Sequence, residues 1–184
     1  MMDFRKNYID VMTTWGDEPV IIRKTTTHDL DEVCLIYAGA RAFMRESGNM
    51  NQWNDGHPSR EVIERDIEAG TSYVCISEDY IAAVFFYSTG PDPTYGKING
   101  AWLNDDPYGV VHRVARAQRG TGASAFCLDW CFEQCRNLRI DTHRDNAPMR
   151  NRLDKMGFTY CGIIWLANGD ERLAFQKAAE RLRG

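Results

Sequence analysis

Residues 110–124 read Val110-Val111-His112-Arg113-Val114-Ala115-Arg116-Ala117-Gln118-Arg119-Gly120-Thr121-Gly122-Ala123-Ser124. An apolar strand runs into a glycine turn, and the turn opens a helix. The first turn of a helix leaves backbone N–H groups unpaired and carries partial positive charge. Glycines let the chain bend tightly and let an anion approach the backbone, and Arg119 adds a cation beside them. The stretch therefore predicts a phosphate or diphosphate site. No Gly-Lys-Ser/Thr follows the glycines, which argues against a plain nucleotide-phosphate loop.

Outward from this stretch, the 184 residues suffice for one domain with a substantial core. A net charge of −4 with no basic face argues against nucleic acid as a partner. No apolar run reaches the length of a membrane span, and the first ten residues lack the pattern of a secretory signal, so a cytoplasmic location is expected. Cys127, Cys131 and Cys135 recur every four residues on one helix face. No paired C-x-x-C element accompanies them, so they are read as core packing rather than a metal site, and no metal is expected.

Residues 1–18 read as an added segment ahead of a single domain over 19–184. Phe4, Tyr8, Val11, Met12 and Trp15 repeat at helical spacing, as a short packing helix or as a contact between the subunits of a homodimer. A strand is expected over 20–24, a helix over 29–45, a second helix from Ser59 to Gly70, and strands near 72–77 and 80–88. Residues 90–109 form a long connection holding Pro91, Pro93 and Pro107. After strand 110–116 and the glycine turn come a helix to about 137, a strand over 138–143, and a helix with Pro148 in its first turn. A hairpin across Asn168-Gly169-Asp170 closes the chain. The order β-α-α-β-β-β-α-β-α-β-β predicts an α/β chain with a mixed sheet rather than a purely parallel one.

That order, with Arg119, Gly120 and Gly122 after the fourth strand, resembles the GNAT superfamily of acetyl-coenzyme A-dependent N-acetyltransferases. The family's pattern is Arg or Gln, two residues, Gly, one residue, then Gly or Ala. Arg119 and Gly122 match it, and Ser124 replaces the last small residue. Asn146 followed by Leu153-Asp154-Lys155-Met156-Gly157-Phe158 is similar to the family's Asn, helix, Gly-Phe signature. Residues 139–146, Gly162 and 171–177 look like a bacterial branch of it. The resemblance is tight over 110–177, topological over 20–90, and does not reach 1–18.

The resemblance implies a central mixed, mostly antiparallel sheet flanked by helices, with a splayed pair of parallel strands. It implies that main-chain amides of Arg119, Gly120, Thr121, Gly122, Ala123 and Ser124 hold the diphosphate of acetyl-CoA. The pantetheine arm would pair with Val114, Ala115 and Arg116 where strand 110–116 parts from strand 138–143. A backbone N–H there would stabilise the oxyanion. The acceptor would be a primary amine of a small molecule or a protein. Alternation along the strand places Val110, His112 and Val114 on one face, which carries the base in several family members. His112 is the expected general base, with His143 in reserve and His57 in a loop bordering the acceptor. Many members place an acidic tyrosine where this chain has Leu153, and Tyr160 falls inside the hairpin. Asn146 is expected both to orient pantetheine or the leaving sulfur and to cap a helix. Loops 47–58 and 90–109 would wall the acceptor pocket, with Trp53, Trp102 and Tyr108 as its aromatic residues, while Asp105 and Asp106 read as a solvated turn. The competing expectation is a non-catalytic acyl-CoA-binding sensor or assembly module, motivated by Leu153.

Overall fold

The computed structural model describes residues 11–15, 18–118, 120 and 122–179; the side chains of 11–15, 18 and 55 are left aside. Its strands are β1 (Val11–Trp15), β2 (Glu18–Lys24), β3 (Ser72–Ser77), β4 (Tyr80–Thr89), β5 (Asn99–Gly100), β6 (Gly109–Arg116), β7 (Asn137–Thr142), β8 (Thr159–Trp165) and β9 (Glu171–Ala178). Its helices are α1 (Leu30–Glu46), α2 (Arg60–Glu68), α3 (Ala123–Cys135) and α4 (Ala147–Lys155). Among the described residues one sheet runs in the order β1-β2-β3-β4-β6-β7-β9-β8-β5. All neighbours are antiparallel except β6 and β7. No helix among those residues is long and apolar enough to cross a membrane.

Each face of the sheet buries a helix layer. Leu30, Val33, Ile36 and Tyr37 recur at helical spacing along α1 and pack on Val74, Ile81, Val84 and Ala115. Ser59 caps α2 by accepting from the Val62 N–H. On the opposite face α3 lays Cys127, Leu128 and Cys131 against Tyr73, Phe85 and Val111, with Trp130 wedged among Tyr73, Phe85 and Tyr87. Cys127 and Cys131 are thus buried core residues, and the half-buried Cys135 thiol points at the Cys131 carbonyl.

Two strands depart from the expected order. Residues 11–15, expected to be helical, pair antiparallel with β2, from Val11 opposite Ile22 to Trp15 opposite Glu18. Val11, Thr13, Thr14 and Trp15 favour an extended backbone, and Gly16-Asp17 between two such runs is a two-residue hairpin signature that outweighs helical spacing counted over so few residues. Phe4 and Tyr8 lie outside the described residues. The connection 90–109 is ordered rather than structureless. It buries Tyr95 against Val110, Ile164 and Ala174 and adds β5 beside β8. The fully buried Gln176 accepts from the Leu103 N–H at 2.8 Å, and its amide donates to Asn137 at 2.7 Å. Asn137 in turn donates to the Asp106 and Pro107 carbonyls. A buried amide must find such partners, so this network pins the connection to the sheet.

β6 and β7 pair only over Gly109–Val111 and Leu138–Ile140, after which β6 continues against β4 alone. Opposite His112 stands Phe86, but opposite Ala115 stands Val84, so β6 carries one extra residue. Arg113, at φ 51°, absorbs it. This bulge shifts the alternation by one. Ala115, not Val114, shares the α1 face with Val110 and His112, while Val114 turns to the α3 side. The expectation that Val114 lies on the His112 face fails for that reason.

The turn after β6 docks on β4. The Ala117 N–H donates to the Ala82 carbonyl at 2.9 Å, and Gly120 follows directly against the same carbonyl. A Cβ on Gly120 would overlap that oxygen. Replacing Gly120 by Ala is expected to destabilise the fold by about 1–3 kcal/mol, because backbone cannot yield as a flexible side chain does. Thermal unfolding checks this, and an unchanged Tm would contradict the docking.

Candidate active site

The parting of β6 from β7 opens a groove with two lobes. One lobe, of about 580 Å³, runs between α1, residues 114–118 of β6 and its turn, and the starts of α3 and α4. The other, of about 560 Å³, lies at the sheet centre beneath loop 47–58 and the 90–96 turn. Met44, Val114, Asn146 and Met149 border both, so the lobes meet there.

In the first lobe, Val114, Ala115 and Arg116 line one wall. The Arg116 guanidinium folds back onto the Ala117 and Gln118 carbonyls at 3.2 and 3.1 Å. Gly122, at φ 90°, starts α3 as its N-cap, a backbone conformation that glycine adopts without strain. The amides of Gly120 and Ala123 are used inside the turn, donating to Ala117 and Gly120. Those of Gly122 and Ser124 find no backbone acceptor among the described residues, and Ser124 borders the lobe. Ala123 is buried in the core. Arg119 and Thr121 lie outside the described residues.

Asn146 is buried where the lobes join. Its Oδ1 accepts from the Met149 N–H at 3.1 Å, capping α4. Its Nδ2 donates to Gln52 Oε1 at 2.9 Å, and the same oxygen accepts from Asn49 at 2.9 Å and Thr142 at 3.5 Å. Loop 47–58 is thereby tied to β7 and α4.

The second lobe centres on His112. Its Nε2 lies 2.9 Å from Asp92 Oδ2 and its Nδ1 lies 3.3 Å from Asp141 Oδ2. The Tyr95 hydroxyl donates to the same Asp141 oxygen at 3.0 Å. Thr94 donates to Asp92 through both its N–H and its hydroxyl. Burial pushes the His112 pKa down, but the hydrogen bonds and charges of Asp141 and Asp92 prevail and raise it to about 9. Burial pushes Asp92 up, and the bonds from His112 and Thr94 outweigh it, holding that carboxyl at about 2. At neutral pH His112 is an imidazolium and Asp92 a carboxylate, with both ring nitrogens facing carboxyl oxygens. Beside it Arg113 pairs with Asp66 at 2.6 Å and lies over the Phe86 ring.

His57 also borders this lobe, where burial and the surrounding cations, Arg113 and Arg172 foremost, lower its pKa to about 4. His143 does not border it. Its Nδ1 accepts from the Asp145 N–H at 3.2 Å, at the entry to α4. Leu153 and Tyr160 border neither lobe, Leu153 being fully buried in the core and Tyr160 exposed. Of the expected aromatic wall only Trp53 faces the lobe. Trp102 and Tyr108 stack on the Arg139 guanidinium at 4.2 and 3.8 Å, because a buried cation draws ring faces. Asp105 is exposed on that side. Asp92, Asp141, Arg113, Arg172 and Gln52 were not foreseen as site residues. The signal for Asp141 was a charge in the interior of a strand, one that Arg139 on the same strand shares.

No family model matches the chain, and no curated protein does. Solved structures do. An acetyltransferase of the GNAT family from Streptococcus agalactiae 2603 is 32% identical, with 92% of this chain and 99% of that one covered and a TM-score of 0.82. A GNAT-family acetyltransferase from Listeria monocytogenes 4b F2365 is 19% identical over 91% of this chain and 99% of that one, with a TM-score of 0.69. The NatC complex bound to Gag peptide and CoA shares the fold, at 11% identity, 88% and 99% coverage and a TM-score of 0.54. A sheet that splays at one parallel pair, a glycine turn opening a helix at that gap, and a near full-length relative at 32% identity converge on one assignment: this chain belongs to the GNAT family of acetyltransferases.

Proposed function

We propose that the protein transfers the acetyl group of acetyl-CoA to a primary amine. The observation that carries this reading is the junction of the two lobes at Asn146 and Val114. It connects a groove fit for a thiol arm and a diphosphate to a basin charged to receive an ammonium. The fit for coenzyme A rests on three features: the Gly122 and Ser124 amides at the α3 N-terminus, which find no backbone acceptor among the described residues, the edge of β6 that β7 leaves unpaired, and an apolar α1 wall with Leu35 and Phe43. The CoA-bound NatC structure supports the same use of the fold.

Bound acetyl-CoA supplies a thioester carbonyl: the amine nitrogen bonds to it, the C–S bond breaks, the electron pair leaves with sulfur, and the amine's proton is released. The chain's residues handle the rest. Asp92 and Asp141 attract the incoming ammonium. Asn146, at the junction, has one Nδ2 hydrogen beyond the bond to Gln52, which can orient the thioester or the leaving sulfur. His112, doubly hydrogen-bonded and cationic at neutral pH, accepts a proton only after losing its own. An ammonium entering beside it places two cations against the same carboxylates, which lowers the pKa of both, so the pair sheds one proton as a unit.

Acetyl-CoA-dependent thiol release with members of a broad amine panel is the expected result. Coenzyme A binding without release for any amine would favour the non-catalytic module instead. With a reactive amine, kcat/KM is expected to rise with pH along a limb near 9, set by His112 in the free enzyme. Asp92→Asn removes one carboxylate and should move that limb towards neutrality, whereas a limb belonging to the amine would not move. His112→Ala should lower turnover and abolish the His112 limb; an unchanged profile in both variants would exclude His112 as the base.

The same charge has a stability signature. His112 titrates at about 9 in the fold against 6.5 when unfolded, so its contribution is full below pH 6.5 and fades as pH rises through 9. Urea unfolding at pH 6 and at pH 9.5 should show the wild-type protein losing more stability over that interval than His112→Gln. Equal losses would contradict the imidazolium assignment.

A further inference from the structure

Arg172, on β9, borders the acceptor basin with its side chain 8% exposed. Its Nη1 donates to the carbonyl of its own neighbour Glu171 at 2.9 Å. The carboxylate nearest to it, on Asp170, stands 3.8 Å from Nη2, outside hydrogen-bond reach. Asp170 is half-exposed and already accepts from the Asn168 amide at 2.9 Å. A guanidinium carries five N–H donors in a planar fork. Here a buried cation keeps most of that fork without an acceptor among the described residues, on the wall of a cavity. Arg113, the other arginine of the basin, contrasts with it, since Asp66 neutralises it at 2.6 Å. Burying a cation without a bonded anion is unfavourable, and a carboxylate offers the two parallel acceptors that a guanidinium fork matches.

The basin is therefore lined by groups of opposite character. Asp92 and Asp141 outnumber the single imidazolium between them and favour a cation. Arg172 favours an anion. Building on the acetyl-transfer reading, we propose that the acceptor is a small amino acid, whose amine is drawn to Asp92 and Asp141 and whose carboxylate is held by Arg172. A small molecule is favoured over a protein chain because loop 47–58 covers the basin. Asn51 donates to Asp145 at 3.3 Å and Asn146 to Gln52 at 2.9 Å, and a cavity volume of about 560 Å³ suits a metabolite-sized ligand.

The test compares free α- and ω-amino acids with their carboxamides as acceptors, by thiol release from acetyl-CoA. The carboxamide of an α-amino acid has the more readily deprotonated amine, so a preference for the acid cannot arise from amine basicity. We expect at least one acid to exceed its carboxamide in kcat/KM by about thirtyfold or more, as removal of one partner of a buried charge pair does elsewhere. Arg172→Gln should erase that preference and Arg172→Lys should retain part of it. Carboxamides or peptide amines acetylated as well as every free acid, or an Arg172→Gln variant that weakens acids and carboxamides alike, would overturn the proposal. A second readout needs no turnover. The preferred acid should raise the Tm of the wild-type protein and not that of Arg172→Gln, and its carboxamide should raise neither. That Tm difference without thiol release from any amine would fault the transfer reading and leave only the amino-acid site at Arg172 standing, whereas no difference between acids and carboxamides in either readout would refute the proposal.

Discussion

The bulge at Arg113 is the constraint on which the site depends. A non-glycine residue at positive φ is disfavoured by about 1 kcal/mol or more, so something must hold it there. The Asp66 carboxylate on α2 and the Phe86 ring do so, one by charge at 2.6 Å and one from a centroid 4.7 Å away. With the extra residue in place, β6 bends and its partnership with β7 ends after Val111. The unpaired edge, the junction at Val114 and the presentation of His112 to the basin all follow from that departure. An ion pair to a helix on the sheet's α1 face thus holds the bulge that lies beside the gap in the sheet.

The basin's charge depends on residues far from β6. Asp92 sits at the start of a turn whose Tyr95 is buried beneath the basin and bonded to Asp141. The rest of that connection is fixed by Gln176 and Asn137 inside the sheet. Tyr95 therefore does two things at once: it anchors the turn that carries Asp92, and it fixes the rotamer of the second carboxylate facing His112. The imidazolium is a product of this arrangement. A histidine on the same strand without these two neighbours would be pushed by burial towards the neutral form.

Much of the fold is legible in the residues. α1 and α2 show apolar positions at helical spacing, α2 behind its Ser59 cap, and residues 110–124 declare a strand, a turn and a helix. Residues 11–15 are too few to define a period, and Val11, Met12 and Trp15 satisfy two templates. The face of Val114 is hidden because alternation presumes an unbroken ladder, and nothing in Arg113-Val114-Ala115 announces a bulge. His112 is readable as a site residue from its strand, but not its charge, since its carboxylates come from another turn and another strand. Trp102 and Tyr108 mislead in the same way, because their partner Arg139 lies across the sheet.

Asn146 shows how one side chain can serve both lobes, and why the choice of an amide matters there. Aspartate would cap α4 equally well, since an N-cap needs only an acceptor for the Met149 N–H. It could not donate to Gln52 Oε1, and two oxygens would then face each other where loop 47–58 is tied down. The amide is the group that accepts from the helix and donates to the loop simultaneously, with a second hydrogen left for the junction. The loop that covers the second lobe and the helix that borders the first are consequently positioned by the same residue. Neither lobe can be displaced there without disturbing the other, which suits a reaction in which two substrates must meet at a single point.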